Sequence, residues 1–590
     1  MKRCHMTHAY IALVILVMLA FDPLGRPASA ASPSPRHQGP PLSSAARFSR
    51  FAHEHHLGAV DLTRLHTDME VPGIDTPTAD LREADVEQRA RARQANADWN
   101  QRPQNETTIA LHPSQPRRWI IGANDYGIGA PIGTGVYTNA RVNYFPPFPL
   151  LAGTNNAGQV IVREPPSGTG DPALVYGRTR AAPDVPAGLP VVYMTSIGFS
   201  DSFCENGVFL YRSFDHGQTW SRPVVPPLAP PRGRYTVVYH ETALDCSVFH
   251  DKEWVTVDTT GGSHDGRIYV TWSRFLSTPP DRDLESPIFM AYSDDNGISF
   301  SDPVEISGSS PAFCRTQIDG PPDACDEDQF SVPVVAPDGT LIVAFENQQF
   351  RGQADGFRNQ YLVVRVHPDT LAVQGPFKVA DLFDGLHDYP INEDERQTLC
   401  NSNFRVNSAG NLAIAPDGTL YVTWSDNRRH AGDFPFPTFV GSREDGYPCP
   451  AGKATDTEVL LSRSQDGGLT WSALVRVNQD GVGNDKDQWF PWAAVAPDGR
   501  VDIVFYDRRR DPGNKLADTF LARSDDRGQH WSDVRVSPFA SNFDEAFFGL
   551  GLFIGDYNGL AIAPDGTSYP VWTGVRPGKT DSDIFFAVVP

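Results

Sequence analysis

The sequence predicts an all-β protein, a β-propeller of four-stranded antiparallel blades, with seven blades favoured and a six-bladed propeller as the alternative. Three observations lead to this fold class. Glycine and proline contribute 50 and 51 of the 590 residues, which favours many turns over long helices. Two short phrases, Ala-Pro-Asp-Gly and Ser-x-Asp-x-Gly, each recur four times. Together they define a unit that repeats about every 65 to 85 residues, and such repetition is typical of a propeller.

The phrase Ala-Pro-Asp-Gly marks the turn between the first and second strands of a unit. It occupies residues 336–339, 415–418, 496–499 and 563–566, between apolar or β-branched runs. Proline fixes φ, aspartate caps the turn and glycine accepts a positive φ. We therefore expect a β-hairpin at each copy.

The second phrase marks the turn between the third and fourth strands of a unit. Its copies are SFDHGQTW (213–220), SDDNGISF (293–300), SQDGGLTW (464–471) and SDDRGQHW (524–531). Their central aspartates, Asp215, Asp295, Asp466 and Asp526, are suited to accept backbone N–H groups across a tight turn. The glycine takes a backbone conformation closed to other residues, and the final aromatic packs on the blade. These features indicate a structural role rather than a catalytic one.

Seven unit starts follow from the two phrases, at residues 105, 171, 251, 328, 403, 487 and 556. The unit that begins at 328 has a degenerate second hairpin, and the first unit is degenerate too. The last unit shows only three strands before Pro590, and a strand from the N-terminal side could complete it.

The chain divides into three predicted segments. Residues 1–30 have the layout of a secretory signal peptide, with Lys2 and Arg3, an apolar run at 9–21 and a small-residue site at 28–30. An uncleaved anchor is the alternative. Residues 31–104 read as a Pro/Ser-rich linker and a short charged helix over 79–99, and residues 105–590 as the propeller. We expect a secreted, extracellular or periplasmic protein with no membrane span after signal cleavage.

The cysteine content and the net charge indicate the cellular compartment and exclude some classes of binding partner. Six cysteines follow the signal: Cys204, Cys246, Cys314, Cys325, Cys400 and Cys449. An even number in an exported chain is compatible with disulfides, and Cys314 with Cys325 is the most local pair. The net charge of −22 argues against nucleic acid or an anionic membrane surface as the main partner.

The repeated Ser-x-Asp-x-Gly-x-Thr-Trp phrase resembles the Asp-box of bacterial-type sialidases and related propellers, over roughly residues 105 to 590. The resemblance implies that the box lies on the face opposite the catalytic pocket. It also implies a glycan partner, and no cofactor is expected. The acidic run at 323–329 offers oxygen ligands of the kind that Ca²⁺ prefers, with a solvated loop as the alternative interpretation.

A propeller gathers functional groups at one mouth, from the starts of the innermost strands and from the loops after the second strands. The innermost strands would contribute Glu106, Asp171, Asp251, Asp328, Asn403, Asp487 and Asp556. The loops would contribute Arg274, Glu346, Asp426, Arg428, Asp507 and Arg509. These carboxylates and arginines either pair with one another structurally or bind and cleave a substrate.

Sialidase chemistry, carried over from the resemblance, assigns specific roles. Tyr557 would be the nucleophile, with Glu106 or Glu346 as its partner and Asp171 or Asp251 as the acid/base. The arginine clamp for the sialic acid carboxylate would be Arg274, Arg428 and Arg509.

The leading hypothesis is thus an exported sialidase-like glycoside hydrolase that removes terminal sugars from glycans. The Arg-Ile-Pro motif of authentic sialidases is absent, because the first unit reads NETTIALHPSQPRRW. Two alternatives therefore stay open. One is a non-catalytic propeller that binds glycans or proteins, and the other is a two-carboxylate glycosidase for a neutral polysaccharide.

Overall fold

The computed structural model describes residues 92–95 and most of 103–590. Within the latter range it omits 116, 127–131, 139–141, 146–167, 183–184, 200–205, 221–235, 242–246, 279–281, 315–322, 349–357, 386, 395, 436, 443–445 and 548–550. The predicted signal peptide, most of the predicted linker and helix, and Cys204 and Cys246 lie outside the described residues.

The described chain forms seven antiparallel sheets, and these are the seven blades that the sequence predicts. Blade 1 comprises β2 (Gln104–Leu111), β3 (Trp119–Asp125), β4 (Gly133–Thr138) and β5 (Val142–Phe145). Blade 2 comprises β6 (Gly168–Arg178), β7 (Pro190–Phe199), β8 (Asn206–Ser213) and β9 (Thr236–Glu241). Blade 3 comprises β10 (Val248–Val257), β11 (Ile268–Thr278), β13 (Ile288–Ser293) and β14 (Val304–Glu305), with β12 (Arg282–Glu285) paired to β11.

The remaining blades repeat this order. Blade 4 comprises β15 (Asp328–Val335), β16 (Leu341–Asn347), β17 (Gln360–Val366) and β18 (Val373–Asp381). Blade 5 comprises β19 (Asn411–Ile414), β20 (Leu420–Asp426), β21 (Glu458–Ser464) and β22 (Val475–Arg476). Blade 6 comprises β23 (Gln488–Val495), β24 (Val501–Asp507), β25 (Asp518–Ser524) and β26 (Ser532–Arg535). Blade 7 comprises β27 (Gly559–Ile562), β28 (Ser568–Val575), β29 (Ser582–Phe586) and β1 (Arg93–Gln94).

The seventh blade closes the ring with a strand from the N-terminal side, the arrangement that the sequence offered for its three-stranded last unit. Arg93 and Gln94 pair with Phe586 and Phe585, and the Ala95 N–H donates to the Ile584 carbonyl at 2.7 Å. Residues 93 and 94 are therefore a strand, where the sequence predicted the end of a charged helix. The described residues include two short 3₁₀ turns, at 428–430 and 543–545, and no α-helix.

The innermost strands surround a central axis. Each of β2, β6, β10, β15, β19, β23 and β27 contacts the next, and β27 returns to β2. Large apolar residues fill the space between neighbouring blades; for example, Ile288 and Met290 of blade 3 pack with Leu341, Val343 and Leu362 of blade 4. The faces of adjacent sheets thus form the core.

The Ser-x-Asp-x-Gly phrases lie at the turns from third to fourth strands. In the first copy, Asp215 accepts the Ser213 hydroxyl and the Thr219 N–H, both at 2.8 Å, and the Thr219 hydroxyl at 2.6 Å. Gly217, at φ 79°, donates its N–H to Ser213, and Trp220 is buried beneath the turn. The other three aspartates, Asp295, Asp466 and Asp526, accept the equivalent serine hydroxyl and backbone N–H groups. Each aspartate therefore stabilises its own turn through these hydrogen bonds.

Two disulfides connect described cysteines. Cys314 bonds to Cys325, the pair that the sequence singled out as most local, and Cys400 bonds to Cys449. The second bond joins the segment before β19 to the long loop between β20 and β21. Within the described part of the chain, no helix is long and apolar enough to span a bilayer.

Candidate functional site

Five innermost strands carry a β-bulge at the same level, near their first residues. Their register shifts at Asn105/Thr108, Gly170/Ala173, Asp251/Trp254, Gln329/Val332 and Trp489/Trp492. In each bulge one residue has positive φ, between 50° and 60°: Glu106, Asp171, Lys252, Phe330 and Phe490. A bulge re-aims its extra side chain, so blades 1, 2 and 3 present two carboxyls and an ammonium at equivalent positions.

Glu106 and Asp171 form a pair bridged by one amide. Asn124 donates from Nδ2 to Glu106 Oε2 at 2.5 Å and to Asp171 Oδ1 at 3.2 Å. Its Oδ1 accepts the Asp171 N–H at 2.7 Å, which fixes the orientation of the amide. Burial raises the pKa of Glu106 well above its ordinary value, and the neighbouring Asp171 carboxyl raises it further. The pair is thus set up to hold a proton between two buried carboxyls.

Lys252 and Glu253 follow one another in the bulge of β10, and both are buried. The Lys252 Nζ lies 3.7 Å from the ring centroid of Tyr557 and 4.3 Å from that of Trp254. Burial lowers the pKa of Lys252, while the facing carboxyls, led by Asp171, oppose that shift. Burial and the charge of Asp171 raise the pKa of Glu253 well above its ordinary value.

Three aromatic rings meet beside this lysine. Trp254 of blade 3 lies 4.7 Å from Trp492 of blade 6, and Tyr557, which precedes β27, lies 5.5 and 5.9 Å from the two indoles. Trp254 and Trp492 also line a cavity of about 210 Å³ formed by the later residues of the innermost strands, including Leu174 and Leu560. Trp254 therefore both lines this cavity and faces the Lys252 ammonium.

Asp556 connects this group to the other side of the axis. It pairs with the Arg405 guanidinium and accepts the Asn407 amide at 2.9 Å. Its charge contributes to raising the pKa of both Glu106 and Glu346. We call Glu106, Asp171, Lys252, Glu253, Asp556 and Tyr557 the axial cluster.

Glu346 lies at the end of β16 and has Asp384 as its main charged neighbour. Burial, and then the Asp384 carboxyl, raises the pKa of Glu346 well above its ordinary value. Burial raises the pKa of Asp384 to about 7, although its Oδ1 accepts the Asn359 amide at 2.9 Å. A second pair of buried acids thus stands beside the axial cluster.

Several buried polar atoms near the axis have no hydrogen-bond partner among the described residues. They are Asp171 Oδ2, Lys252 Nζ, both carboxyl oxygens of Glu253 and of Glu346, and the side-chain amide of Asn105. Buried polar groups are almost always paired in folded proteins, because desolvation without a partner costs about 1–3 kcal/mol for each group. Such a concentration is typical of a site that receives a polar ligand.

The arginines proposed for a clamp are held by other acids. Arg428 makes two hydrogen bonds to Asp426, at 2.8 and 2.6 Å. Arg509 lies 2.6 Å from Asp507 and 2.8 Å from Asp533.

Arg274 lies 3.9 Å from Glu285, and its guanidinium faces the ring of Phe289 on β13. The structure therefore brings Glu106, Asp171 and Tyr557 together, while each of the three arginines has a different acid as its neighbour.

Asp251 is displaced from the position that the sequence assigned to it. It precedes the bulge, one residue before Lys252, and accepts the Gln329 amide at 3.4 Å. The sequence analysis aligned Asp251 with Glu106 and Asp171, and so missed Lys252 and Glu253. It also did not identify Asp384 or Arg405. Aligning the strands on the apolar residues after the bulge, Ile109, Leu174 and Val255 (NETTIA, GDPALV, DKEWVT), would have placed Lys252 beside the carboxyls.

The sequence also offers the acidic run 323–329 as a source of oxygen ligands for Ca²⁺. Burial, together with Glu285 and Glu305, raises the pKa of Asp326 to about 7. Across the described residues, no group of three or more His, Cys, Asp or Glu is arranged to hold a metal ion.

Comparison with known proteins identifies the repeat. The family model described as BNR/Asp-box repeat matches residues 211–222, the end of β8 and the first box. The chain is a β-propeller that contains a BNR/Asp-box repeat. A search of curated proteins found no match.

Solved structures similar to this Asp-box propeller include a protein of unknown function from Dyadobacter fermentans. It is 9% identical with a TM-score of 0.41, and the match covers 84% of this chain and 98% of that one. A Penicillium chrysogenum α-L-arabinanase complexed with arabinobiose is 13% identical, covering 70% and 92%, with a TM-score of 0.36. A Trypanosoma rangeli sialidase in complex with sialic acid is 13% identical, covering 81% and 59%, with a TM-score of 0.37. At these values the likenesses carry no argument about the chemistry of the Asp-box propeller.

Proposed function

We propose that this protein is a glycoside hydrolase that cleaves terminal sugars at the axis of the propeller, with Glu106 as proton donor and Asp171 as the carboxylate beside the reacting carbon. The observation that carries the proposal is the axial cluster itself. Two bridged carboxyls, an ammonium and a phenol converge there, and several of their polar atoms lack partners among the described residues. A sugar has many hydroxyl groups that would satisfy such atoms.

The chemistry follows from the two carboxyls. Burial raises the pKa of Glu106 and so favours its protonated form, which can donate a proton to the glycosidic oxygen as the bond to the anomeric carbon breaks. Asp171 stabilises the positive charge that develops at that carbon. Water then adds to the carbon and returns one proton to the pair, so that the products are a neutral alcohol and a sugar hemiacetal, and the enzyme is restored.

Tyr557 fits a supporting role better than that of nucleophile. Its hydroxyl is directed at the Pro172 carbonyl, 3.5 Å away, and burial among the carboxyls raises its pKa well above the ordinary value. Its ring holds the Lys252 ammonium. These contacts support the two-carboxylate route over the tyrosine route that a sialidase would use.

Substrate charge follows from the arginines. A sialic acid carboxylate needs cations that are not already paired, and Arg428 and Arg509 each bind an aspartate. The axial cluster itself contains four carboxyls for one lysine. We therefore propose a neutral terminal sugar as the substrate.

Export is part of the proposal. The two disulfides support it, because such bonds persist in oxidising compartments. A glycan outside the cell or in the periplasm would then be the partner.

The test is hydrolysis of chromogenic glycosides by the purified protein, using neutral pyranosides and furanosides and one α-sialoside. We expect turnover of a neutral glycoside, and a loss of at least about 100-fold in kcat/KM for Glu106→Gln and Asp171→Asn. Asp328→Asn is the matched control, because Asp328 is also a buried carboxyl at the start of an innermost strand but hydrogen bonds to Asn347.

Three outcomes would count against the proposal. Turnover of the sialoside alone would favour sialidase chemistry. Equal activity in both variants and the control would remove these carboxyls from the reaction. Saturable glycan binding without turnover of any glycoside would favour the non-catalytic propeller.

A further inference from the structure

We infer that Lys252 is a positioning residue that keeps one proton, rather than two, on the Glu106–Asp171 pair. This inference rests on the proposed function, because a pair with one proton contains both the donor and the carboxylate that the reaction needs. The equivalent bulges of blades 4 and 6 present Phe330 and Phe490, which carry no charge.

The geometry places Lys252 at the same level of the innermost strands as the pair. Lys252 occupies in blade 3 the bulge position that Glu106 and Asp171 occupy in blades 1 and 2, with φ of 52°, 57° and 56° respectively. The faces of Tyr557 and Trp254 lie 3.7 and 4.3 Å from its Nζ. Aromatic faces attract a cation without neutralising it, so the ammonium charge remains directed at its carboxyl neighbours.

The charges that face Lys252 come from four blades. Asp171, Glu106, Glu253 and Asp556 all act on its ammonium, in decreasing order. Asp556 also pairs with Arg405, and Glu253 follows Lys252 in the chain. Lys252 is therefore the cation shared by the two carboxyls of the pair.

The charge of Lys252 affects the number of protons that the Glu106–Asp171 pair binds. Burial and the neighbouring Asp171 carboxyl both raise the pKa of Glu106, and the positive charge of Lys252 opposes them. Without that charge, the second proton would stay on the pair to higher pH. The doubly protonated pair has a donor but no carboxylate, and hydrolysis would stop.

The first experiment compares pH profiles of kcat/KM for the wild type, Lys252→Met and Lys252→Arg. For Lys252→Met we expect the acidic limb to move to higher pH by about one unit or more. Lys252→Arg keeps the charge and should restore the wild-type limb. Lys486→Met is the matched control, since Lys486 donates to the carbonyls of Asp511 and Pro512 and does not touch the pair.

The second experiment needs no turnover, so it separates failure of this inference from failure of the proposed function. Infrared difference spectra count the protonated carboxyls during a pH titration, with Glu106→Gln to assign the signal. Lys252→Met should titrate at higher pH than the wild type. A coincident titration in a folded Lys252→Met protein would overturn the inference, whether or not any glycoside is cleaved.

If Lys252→Met does not fold, a measurement on the wild-type protein can still test the inference. The ¹⁵N chemical shift of the Lys252 Nζ should report an ammonium throughout the pH range in which the pair takes up its second proton. A neutral amine in that range could not supply the charge, and the inference would be wrong.

Discussion

At the scale of single residues, burial of ionisable groups disfavours their charged forms. The free energy of unfolding therefore depends on pH. Three acids outside the axial cluster, Asp326, Asp384 and Glu458, have their pKa values raised to about 7, in each case mainly by burial. An acid with a raised pKa in the folded state favours folding while it is protonated. That contribution is fully present below the pKa of the unfolded chain and is lost as pH rises through 7.

The free energy of unfolding should therefore fall as pH rises from about 4 to about 8, by at most about 1.4 kcal/mol per pH unit for each proton that is released. Asp326→Asn removes one such group, which has no hydrogen bond to either carboxyl oxygen within the described residues, and should make the curve flatter. Urea unfolding at several pH values measures both effects. An identical slope in the variant would show that Asp326 titrates normally.

At the scale of elements, the bulges decide which side chains face the axis. A shift of one residue in the register of a strand moves every side chain to the other face. Two neighbours such as Asp251 and Lys252 therefore point in different directions. The extra residue of a bulge has no consistent signature in a single sequence; here it is Glu, Asp, Lys or Phe. The sequence could therefore indicate where the innermost strands begin but could not specify which residue of each start points inward.

The turns, in contrast, could be read directly. Every Ala-Pro-Asp-Gly phrase closes its hairpin with the same hydrogen bonds, such as Gly339 N–H to the Ala336 carbonyl at 2.8 Å. Proline, aspartate and glycine each act through local geometry, so their effect does not depend on distant residues. This is why blade number and strand order followed from the sequence while Arg405, Asp384 and the paired arginines did not.

Gly410 tests the packing between the first two strands of blade 5. A methyl group there would lie 1.9 Å from the Thr423 carbonyl oxygen, whereas at Gly481 it would meet only Asn484 at 3.8 Å. Gly410→Ala should lower the free energy of unfolding by about 1–3 kcal/mol, since backbone must move to admit it. Gly481→Ala should be close to neutral, and denaturant unfolding of both variants makes the comparison. Equal stabilities would contradict the close contact between residue 410 and the Thr423 backbone.

At the scale of the whole molecule, the ring depends on a short strand from one end of the propeller sequence. Seven innermost strands contact one another in turn, and the seventh sheet is completed by Arg93 and Gln94 against β29. Gln94 also accepts a hydrogen bond from Arg576, which ties the strand to the loop after β28. Without this strand, β29 becomes an exposed edge.

A pair of truncations tests the closure. A chain that begins at Arg91 keeps the strand, and one that begins at Asn96 removes it. The shorter chain should lose about 1–3 kcal/mol of stability, melt at lower temperature and aggregate more readily, because its edge strand can pair with other chains. Calorimetry and light scattering compare the two. Matching melting temperatures would show that Arg93–Gln94 adds nothing to closure.

The register of that strand also sets how the ring responds to mechanical load. Arg93 lies opposite Phe586, and Gln94 opposite Phe585, so the chain preceding Arg93 and the chain following Phe586 leave the pair at the same end. A pull applied through these two segments peels the strands apart one hydrogen bond at a time, instead of shearing all the bonds together. The seventh blade is therefore the point at which tension opens the propeller first, while the other six sheets are still intact.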